Sequence, residues 1–153
     1  MSDIHANGRV QLLGVILPHD IVLIIANVYG WTGGHHNKHA RLRTDDMLAI
    51  ILHEFDQLPQ GPKLIVGDMN AEPWDLPSIA TALVEGTFVD LGAQADIFGE
   101  APNQPTCYPY NNGTPSRRDF VFASASLLPL ISDFGPPTGF SSAWCSKFVS
   151  FDP

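Results

Sequence analysis

The feature that most constrains this chain is a short apolar run that ends in two polar side chains. Leu64-Ile65-Val66 is followed at once by Gly67-Asp68-Met69-Asn70. Such a run predicts a buried strand, and the glycine predicts where the strand ends. Loops at the carboxyl ends of strands often carry the reactive groups of α/β proteins. In an extended chain the side chains of Asp68 and Asn70 share one face and could hold a water or a metal-bound phosphate. Asp-x-Asn is also a common turn sequence, and that alternative stays open.

The hydrophobic pattern predicts strands that alternate with helices. Val10–Leu17 and Ile21–Tyr29 indicate an antiparallel hairpin, and their near-continuous aliphatic sequence predicts a sheet covered on both faces. Apolar residues at three- and four-residue steps predict a helix over Lys38–Gln57, followed by a strand at Lys63–Asp68. We expect the remaining elements to be a helix that Asp75-Leu76-Pro77 opens, with Asp75 as its cap and Pro77 in its first turn, running to about Glu85, and strands at Phe88–Leu91, Thr106–Tyr108, Asp119–Ala123 and Leu127–Ile131.

This alternation predicts a layered α/β domain. The hydrophobic content of 44% and the charged content of 16% describe a globular chain. A net charge of −8 argues against a broad basic face for nucleic acid, but not against a phosphate-processing site, because such sites use carboxylates to hold cations.

The cysteines and the terminus favour an intracellular protein, in the cytoplasm or the nucleus. Only two cysteines occur, Cys107 and Cys145, without a Cys-x-x-Cys pair, which favours a reducing compartment. No secretory signal is evident, and no apolar run reaches the ~18 residues of a membrane span. We therefore expect no membrane partner, and nothing in the sequence indicates an oligomeric state.

Polar motifs stand at four predicted strand ends. They are Asn27-Val28-Tyr29-Gly30, Gly67-Asp68-Met69-Asn70, Thr106-Cys107-Tyr108 and Arg117-Arg118-Asp119. In this order and spacing they resemble the endonuclease/exonuclease/phosphatase superfamily, whose fold abasic-site endonucleases, DNase I, inositol-phosphate phosphatases and retroelement endonucleases share. The resemblance covers roughly residues 10–124. It implies part of a four-layer α/β sandwich, in which two mixed β-sheets are flanked by helices.

The resemblance also implies roles for particular residues. Tyr29 resembles the tyrosine that contacts the scissile phosphate, and Asp68 the aspartate that orients or deprotonates the attacking water. Asn70 resembles the neighbour that helps to hold the phosphate or metal shell, and Asp119 the partner of a downstream histidine. The implied cofactor is Mg²⁺, with Mn²⁺ as the alternative, held by Asp68 and Asn70. The further residues expected to contact substrate are Asn27, Thr106, Arg117, Arg118 and Trp74.

Two groups of the family pattern are missing from this sequence. The pattern has a metal-binding glutamate upstream of Asn-x-Tyr, whereas the first glutamate here is Glu54. It also ends in Ser-Asp-His, whereas all six histidines here precede Gly67. We therefore expect residues 1–153 to form one partial domain that lacks the N-terminal Glu strand and the C-terminal Asp-His motif. Loss of either group costs orders of magnitude in rate.

These observations favour a Mg²⁺-dependent phosphoesterase, of the abasic-site or retroelement endonuclease type, that is weak or inactive as this chain. The alternative is a catalytically dead fragment that binds nucleic acid or protein. An unrelated nucleotide-binding domain is disfavoured, because the Gly-x-Gly-x-x-Gly and Walker motifs are absent. DNA, RNA and small phosphate esters all stay open as substrates. For the segment from His35 to His39, a polar loop that leads into a helix is favoured over a metal cluster.

Overall fold

The computed structural model describes residues 8–109, 113–135 and 148–151. Its largest element is a five-stranded mixed sheet with the order β1-β2-β3-β5-β4, and a two-stranded antiparallel sheet, β6-β7, accompanies it. Of the two cysteines, Cys107 is a free thiol, and Cys145 lies outside the described residues. The strands are β1 Val10–Leu17, β2 Ile21–Tyr29, β3 Lys63–Asp68, β4 Phe88–Asp90, β5 Asp119–Ser124, β6 Ile131–Gly135 and β7 Phe148–Phe151, and the α-helices are α1 Lys38–Gln57 and α2 Pro77–Val84.

The first half of the chain has the elements that its sequence predicts. The hairpin, α1 and β3 begin and end at the predicted residues. Helix α1 begins where it does because the Asn37 side chain accepts hydrogen bonds from the backbone N–H groups of His39 and Ala40, at 2.9 and 3.3 Å. β1 pairs antiparallel with β2, and β2 pairs parallel with β3 across α1. The mixed α/β class predicted from the alternation is thereby confirmed.

The five-stranded sheet is packed on both faces, so its core has two parts. On one face the two helices pack against alternate residues of the strands, such as Val28, Ile65 and Phe122. On the other face, residues such as Leu64 pack with Phe134 of the small sheet. None of the helices in the described parts of the chain is long and apolar enough to cross a membrane.

One prediction about the hairpin is wrong at its tip. β3 runs beside β2 only from Ile24 to Tyr29. The outer end of the hairpin therefore extends beyond the neighbouring strand, and the side chains of Val15, Ile16 and Val22 are exposed, Ile16 to 75%. The sheet is therefore not covered on both faces at the tip of the hairpin.

Several short-range predictions in the second half of the chain are also wrong. Asp75 does not cap α2, because it lies in a 3₁₀ turn, Pro73–Asp75, and Asp45 of α1 accepts the hydrogen bond from the Ser78 N–H at 2.8 Å. Segment Thr106–Tyr108 forms only a single bridge, from Cys107 to Ser116. The strand expected at Leu127–Ile131 is a 3₁₀ turn over Leu128–Leu130, and β6 follows it. Pro129 in the first turn of this second 3₁₀ segment fixes φ and removes an N–H that a strand would need.

Candidate active site

Three of the predicted site residues form a row across neighbouring strands. Tyr29 is in register with Asp68 in the parallel β2-β3 pair, and Asp68 is in register with Asp119 in the antiparallel β3-β5 pair. Residues in register place their side chains on the same face of a sheet. The row lies on the face opposite the helices, since the adjacent Val28 and Phe120 pack in the helix-side core. Asn27 is two residues before Tyr29, is exposed, and lies on the same face.

The backbone around Asp68 is fixed from both sides. The Gly30 N–H donates to the Asp68 carbonyl at 2.7 Å, and the Met69 N–H donates to the Arg118 carbonyl at 2.9 Å. These bonds join the end of β3 to the loops that follow β2 and precede β5. The carboxylate of Asp68 is consequently presented at a defined position rather than on a free loop.

Asn70 is placed differently from the sequence-based expectation. Its φ is +51°, so the chain is not extended there and the shared-face argument does not apply. The side chain of Asn70 is buried, its amide donates to the Gly30 carbonyl at 3.4 Å, and its backbone N–H donates to Asp68 Oδ1 at 2.9 Å. Asn70 thus orients the Asp68 carboxylate, and the turn interpretation of Asp-x-Asn describes this segment.

The surroundings of Asp68 shift its titration. Burial raises the pKa of Asp68 above its ordinary value of 3.8, and the negative charge of Asp119 raises it further. The N–H of Asn70 and the positive charges of Arg118 and His35 act in the opposite direction on the same pKa. Asp68 is therefore a carboxylate whose ionised form is disfavoured, although cations lie nearby.

Replacement of Asp68 by asparagine is expected to raise the melting temperature at neutral pH. A carboxyl whose folded-state pKa is raised contributes stability below its unfolded-state pKa, and this contribution is lost as the pH rises through the folded-state value. Asparagine keeps an acceptor for the Asn70 N–H and carries no charge. Melting curves recorded by circular dichroism should show Asp68→Asn above wild type at neutral pH, with the difference vanishing below about pH 3.8. A lower melting temperature for the variant at neutral pH would contradict the prediction.

Thr106 and Arg118 hold the start of β5. Thr106 Oγ1 accepts hydrogen bonds from the backbone N–H groups of Arg118 and Asp119, both at 3.0 Å. Thr106 therefore positions the chain beside the row through its hydroxyl. Arg118, one of the two predicted arginines, is the one whose charge acts on Asp68.

Arg117 and Trp74 lie in a different part of the structure. The guanidinium of Arg117 is buried, forms a two-pronged ion pair with Asp90, and donates to Asn103 Oδ1 at 3.0 Å. It also stacks 4.4 Å from the centre of the Phe120 ring. Trp74, which is 69% exposed, lines a cavity of about 640 Å³ together with Arg117, and none of the residues of the row lines that cavity. The structure thus divides the predicted substrate contacts into two groups.

Sequence reasoning did not identify Arg9 and His35 as neighbours of the site. Arg9 donates to the Tyr29 and Gly30 carbonyls at 3.3 and 3.1 Å, and its guanidinium lies over the rings of Tyr29 and Trp31. The guanidinium of Arg43 also lies over the ring of Trp31, 4.5 Å from the centre of that ring. The pairing of the hairpin strands indicates the position of Arg9. Because Val10 lies opposite Val28, Arg9 lies beside Tyr29. No local pattern indicates that His35 lies near Asp68.

The residues at this strand end fit a divalent metal that is shared with a substrate. Asp68 and Asp119 are two neighbouring carboxylates, whereas the buried amide of Asn70 donates to the Gly30 carbonyl. Among the residues that the structure describes, no three His, Cys, Asp or Glu side chains come together as a metal site. Mg²⁺ is often held by one or two carboxylates with water and substrate phosphate as the other ligands. The donor set therefore suits a metal that binds together with a phosphate ester.

The fold and the row define a layered α/β protein with a carboxylate site at the ends of its strands. The chain belongs to the endonuclease/exonuclease/phosphatase family, since the family model matches residues 2–146. Members of this family generally depend on a divalent metal. No curated protein matches the sequence.

Solved structures show the same DNase I-like fold. The catalytic domain of Xenopus laevis APE2 is 17% identical with a TM-score of 0.65, over 96% of this chain and 57% of that one. The 3′ phosphatase NExo from Neisseria, bound to a product DNA hairpin, is 16% identical with a TM-score of 0.62, over 94% of this chain and 70% of that one. An AP endonuclease from Archaeoglobus fulgidus is 15% identical with a TM-score of 0.57, over 94% of this chain and 65% of that one. This chain therefore spans little more than half of the APE2 domain.

Proposed function

We propose that the row of Tyr29, Asp68 and Asp119 hydrolyses phosphate esters, with endonuclease-type cleavage of a nucleic-acid phosphodiester as the favoured reaction. The observation that carries the proposal is the position of Asp68, a carboxylate with a raised pKa, between a tyrosine and a second aspartate. Family membership and the DNA bound to the similar NExo structure support this reaction class. This chain spans 57% of the APE2 catalytic domain. Any activity of a whole domain of this family is therefore also part of the proposal.

The residues of the row divide the chemistry among them. Asp68 is the base that orients and deprotonates water, because a raised pKa brings a carboxylate closer to the pH at which it works. Asn70 holds one oxygen of that carboxylate through its N–H. The side chain of Tyr29 is 49% exposed, so its hydroxyl can donate to a non-bridging oxygen of the phosphate. When bound by the carboxylates of Asp68 and Asp119, a divalent ion, Mg²⁺ or Mn²⁺, would neutralise charge that develops on the phosphate.

We propose that the rate of this chain alone is low. The described residues supply two carboxylates and no third charged ligand, so the metal would bind weakly in the absence of substrate. Positioning and charge neutralisation account for most of the catalysis of phosphoryl transfer. A site that lacks part of its cation shell should therefore turn over slowly.

The direct test is cleavage of a labelled DNA duplex with an abasic-site analogue, in the presence of Mg²⁺. We expect slow cleavage by the wild-type chain, at least about a hundredfold less by Asp68→Asn, and none after chelation of the metal. Asp133→Asn, at an exposed carboxylate in β6, is the matched control and should cleave like wild type. Equal cleavage by wild type and Asp68→Asn would refute the assignment. Single-stranded DNA, RNA and p-nitrophenyl phosphate, run in parallel, identify the substrate class.

The absence of a three-ligand metal group from the described residues favours one second candidate, a module that binds nucleic acid without cleaving it. Binding of the same labelled DNA, followed by fluorescence anisotropy, should then weaken as salt increases. Salt-dependent binding without any Asp68-dependent cleavage would favour this module over the hydrolase.

A further inference from the structure

Two buried nitrogen atoms lack hydrogen-bond partners. Within the described ranges, His35 Nε2 and Arg118 Nε are the only buried side-chain polar atoms without one. Native structures pair nearly all such atoms with protein, water or a ligand. Each of these two atoms therefore indicates an occupant that completes its hydrogen bonds.

The two nitrogens belong to loops that meet at Asp68. Arg118 immediately precedes Asp119, and its carbonyl accepts from Met69, the residue after Asp68. His35 follows Gly34, which lies so close to the turn after Asp68 that a Cβ on Gly34 would collide with the Asn70 carbonyl oxygen. The positive charges of both side chains act on the Asp68 carboxyl. The two side chains with unpaired atoms thus both lie near one carboxylate of the row.

The backbone holds His35 in this position. The Gly33 carbonyl accepts hydrogen bonds from the N–H groups of His36 and Asn37, both at 2.9 Å. At the start of the same loop, the Trp31 N–H donates to Thr44 Oγ1 of α1 at 2.9 Å. With both ends of the loop fixed, His35 stays beside the turn that contains Asn70.

The chemistry of the two nitrogens selects the occupant. Arginine Nε can only donate a hydrogen bond, so the occupant must accept one. A guanidinium beside an imidazole disfavours a cation and favours an anion with several acceptor oxygens. We propose that His35 and Arg118 form an oxyanion subsite beside Asp68, in which both nitrogens donate to non-bridging oxygens of a phosphate group. The choice of a phosphate ester as the physiological ligand rests on the proposed function, whereas the subsite can be tested with inorganic phosphate.

The first measurement follows the imidazole nitrogens of the wild-type full chain by NMR while inorganic phosphate is added. We expect the His35 Nε2 resonance to shift and saturate, whereas the resonances of the adjacent, exposed His36 stay in place. Absence of phosphate binding, or equal shifts at the two histidines, would overturn the subsite. This experiment requires no variant, so a misfolded mutant cannot obscure its result.

The second measurement compares phosphate affinity among variants by calorimetry. His35→Gln and Arg118→Gln should each weaken binding at least about tenfold, because each removes a hydrogen bond to a charged acceptor. His36→Gln is the matched control and should bind like wild type. Unchanged affinity in folded His35→Gln and Arg118→Gln would overturn the proposal. If phosphate binds but no substrate is hydrolysed, the subsite stands and the hydrolase assignment is wrong. If hydrolysis depends on Asp68 but is unchanged in His35→Gln and Arg118→Gln, the hydrolase assignment stands and the subsite is wrong.

Discussion

Arg117→Met is expected to destabilise the folded chain by about 3–5 kcal/mol, since it leaves the buried carboxylate of Asp90 without its partner. Asp90 also accepts hydrogen bonds from the backbone N–H groups of Gly92 and Ala93, at 3.0 and 3.3 Å, so it cannot turn to solvent without opening the chain after β4. The same substitution removes the hydrogen bond to Asn103 and the stacking on Phe120. Urea denaturation of wild type and variant measures the difference in free energy of unfolding.

Two controls separate the loss of the partner from the loss of a charge. The double variant with Asp90→Asn and Arg117→Met removes both charges and keeps an acceptor for the Gly92 N–H, so it should recover much of the stability lost in the single variant. Arg41→Met breaks an ion pair with Asp75 at 3.5 Å, in which both side chains are partly exposed. Surface pairs of this kind contribute less than about 1 kcal/mol, so Arg41→Met should unfold close to wild type. If Arg117→Met were as mild as Arg41→Met, the buried pair would not stabilise the fold.

Gly67→Ala is the second substitution with a large expected effect, again about 3–5 kcal/mol, from backbone strain together with steric overlap. The φ of Gly67 is +138°, a region that residues with a Cβ rarely adopt. A Cβ at this position would also collide with the Val28 carbonyl oxygen on the neighbouring strand. Because Gly67 immediately precedes Asp68, relief of the overlap would displace the carboxylate of the row.

Other glycines provide matched controls for Gly67. At Gly14 a Cβ would meet Ile24 at an ordinary 3.8 Å, so Gly14→Ala should leave stability nearly unchanged. Gly86 has a φ of +71° with nothing close to a Cβ, so Gly86→Ala isolates the backbone strain, about 1–2 kcal/mol. Chemical denaturation of the three variants should rank Gly67→Ala as the most destabilised. Equal stability of Gly67→Ala and Gly14→Ala would show that β2 and β3 can separate without cost.

Sequence patterns predicted those elements whose formation depends on neighbours along the chain. The hairpin and α1 follow from hydrophobic periodicity, a tight turn and the Asn37 cap, all of which act within a few residues. Two of the failed predictions concern a distant group that replaced a local one. Asp45 on α1 caps α2 in place of Asp75, and the end of β3 leaves the hairpin tip exposed. Periodicity contains no information about either contact.

In the candidate site, too, local sequence decides some features and tertiary contacts decide others. Residue identity alone, through the resemblance of the strand-end motifs, placed Tyr29, Asp68 and Asp119 among the candidates, and their catalytic roles stay predictions. The alignment of these three side chains is decided by strand register, because β5 lies between β3 and β4 although it follows both in the chain. Two adjacent arginines of identical chemistry also separate only in the folded chain: Arg117 is buried against Asp90, and Arg118 lies at Asp68. Local sequence thus determined which chemical groups are present and, in the first half of the chain, which segments form strands and helices. Tertiary packing decided which of these groups lie together, because burial and electrostatic contact depend on distance in space rather than on separation along the chain.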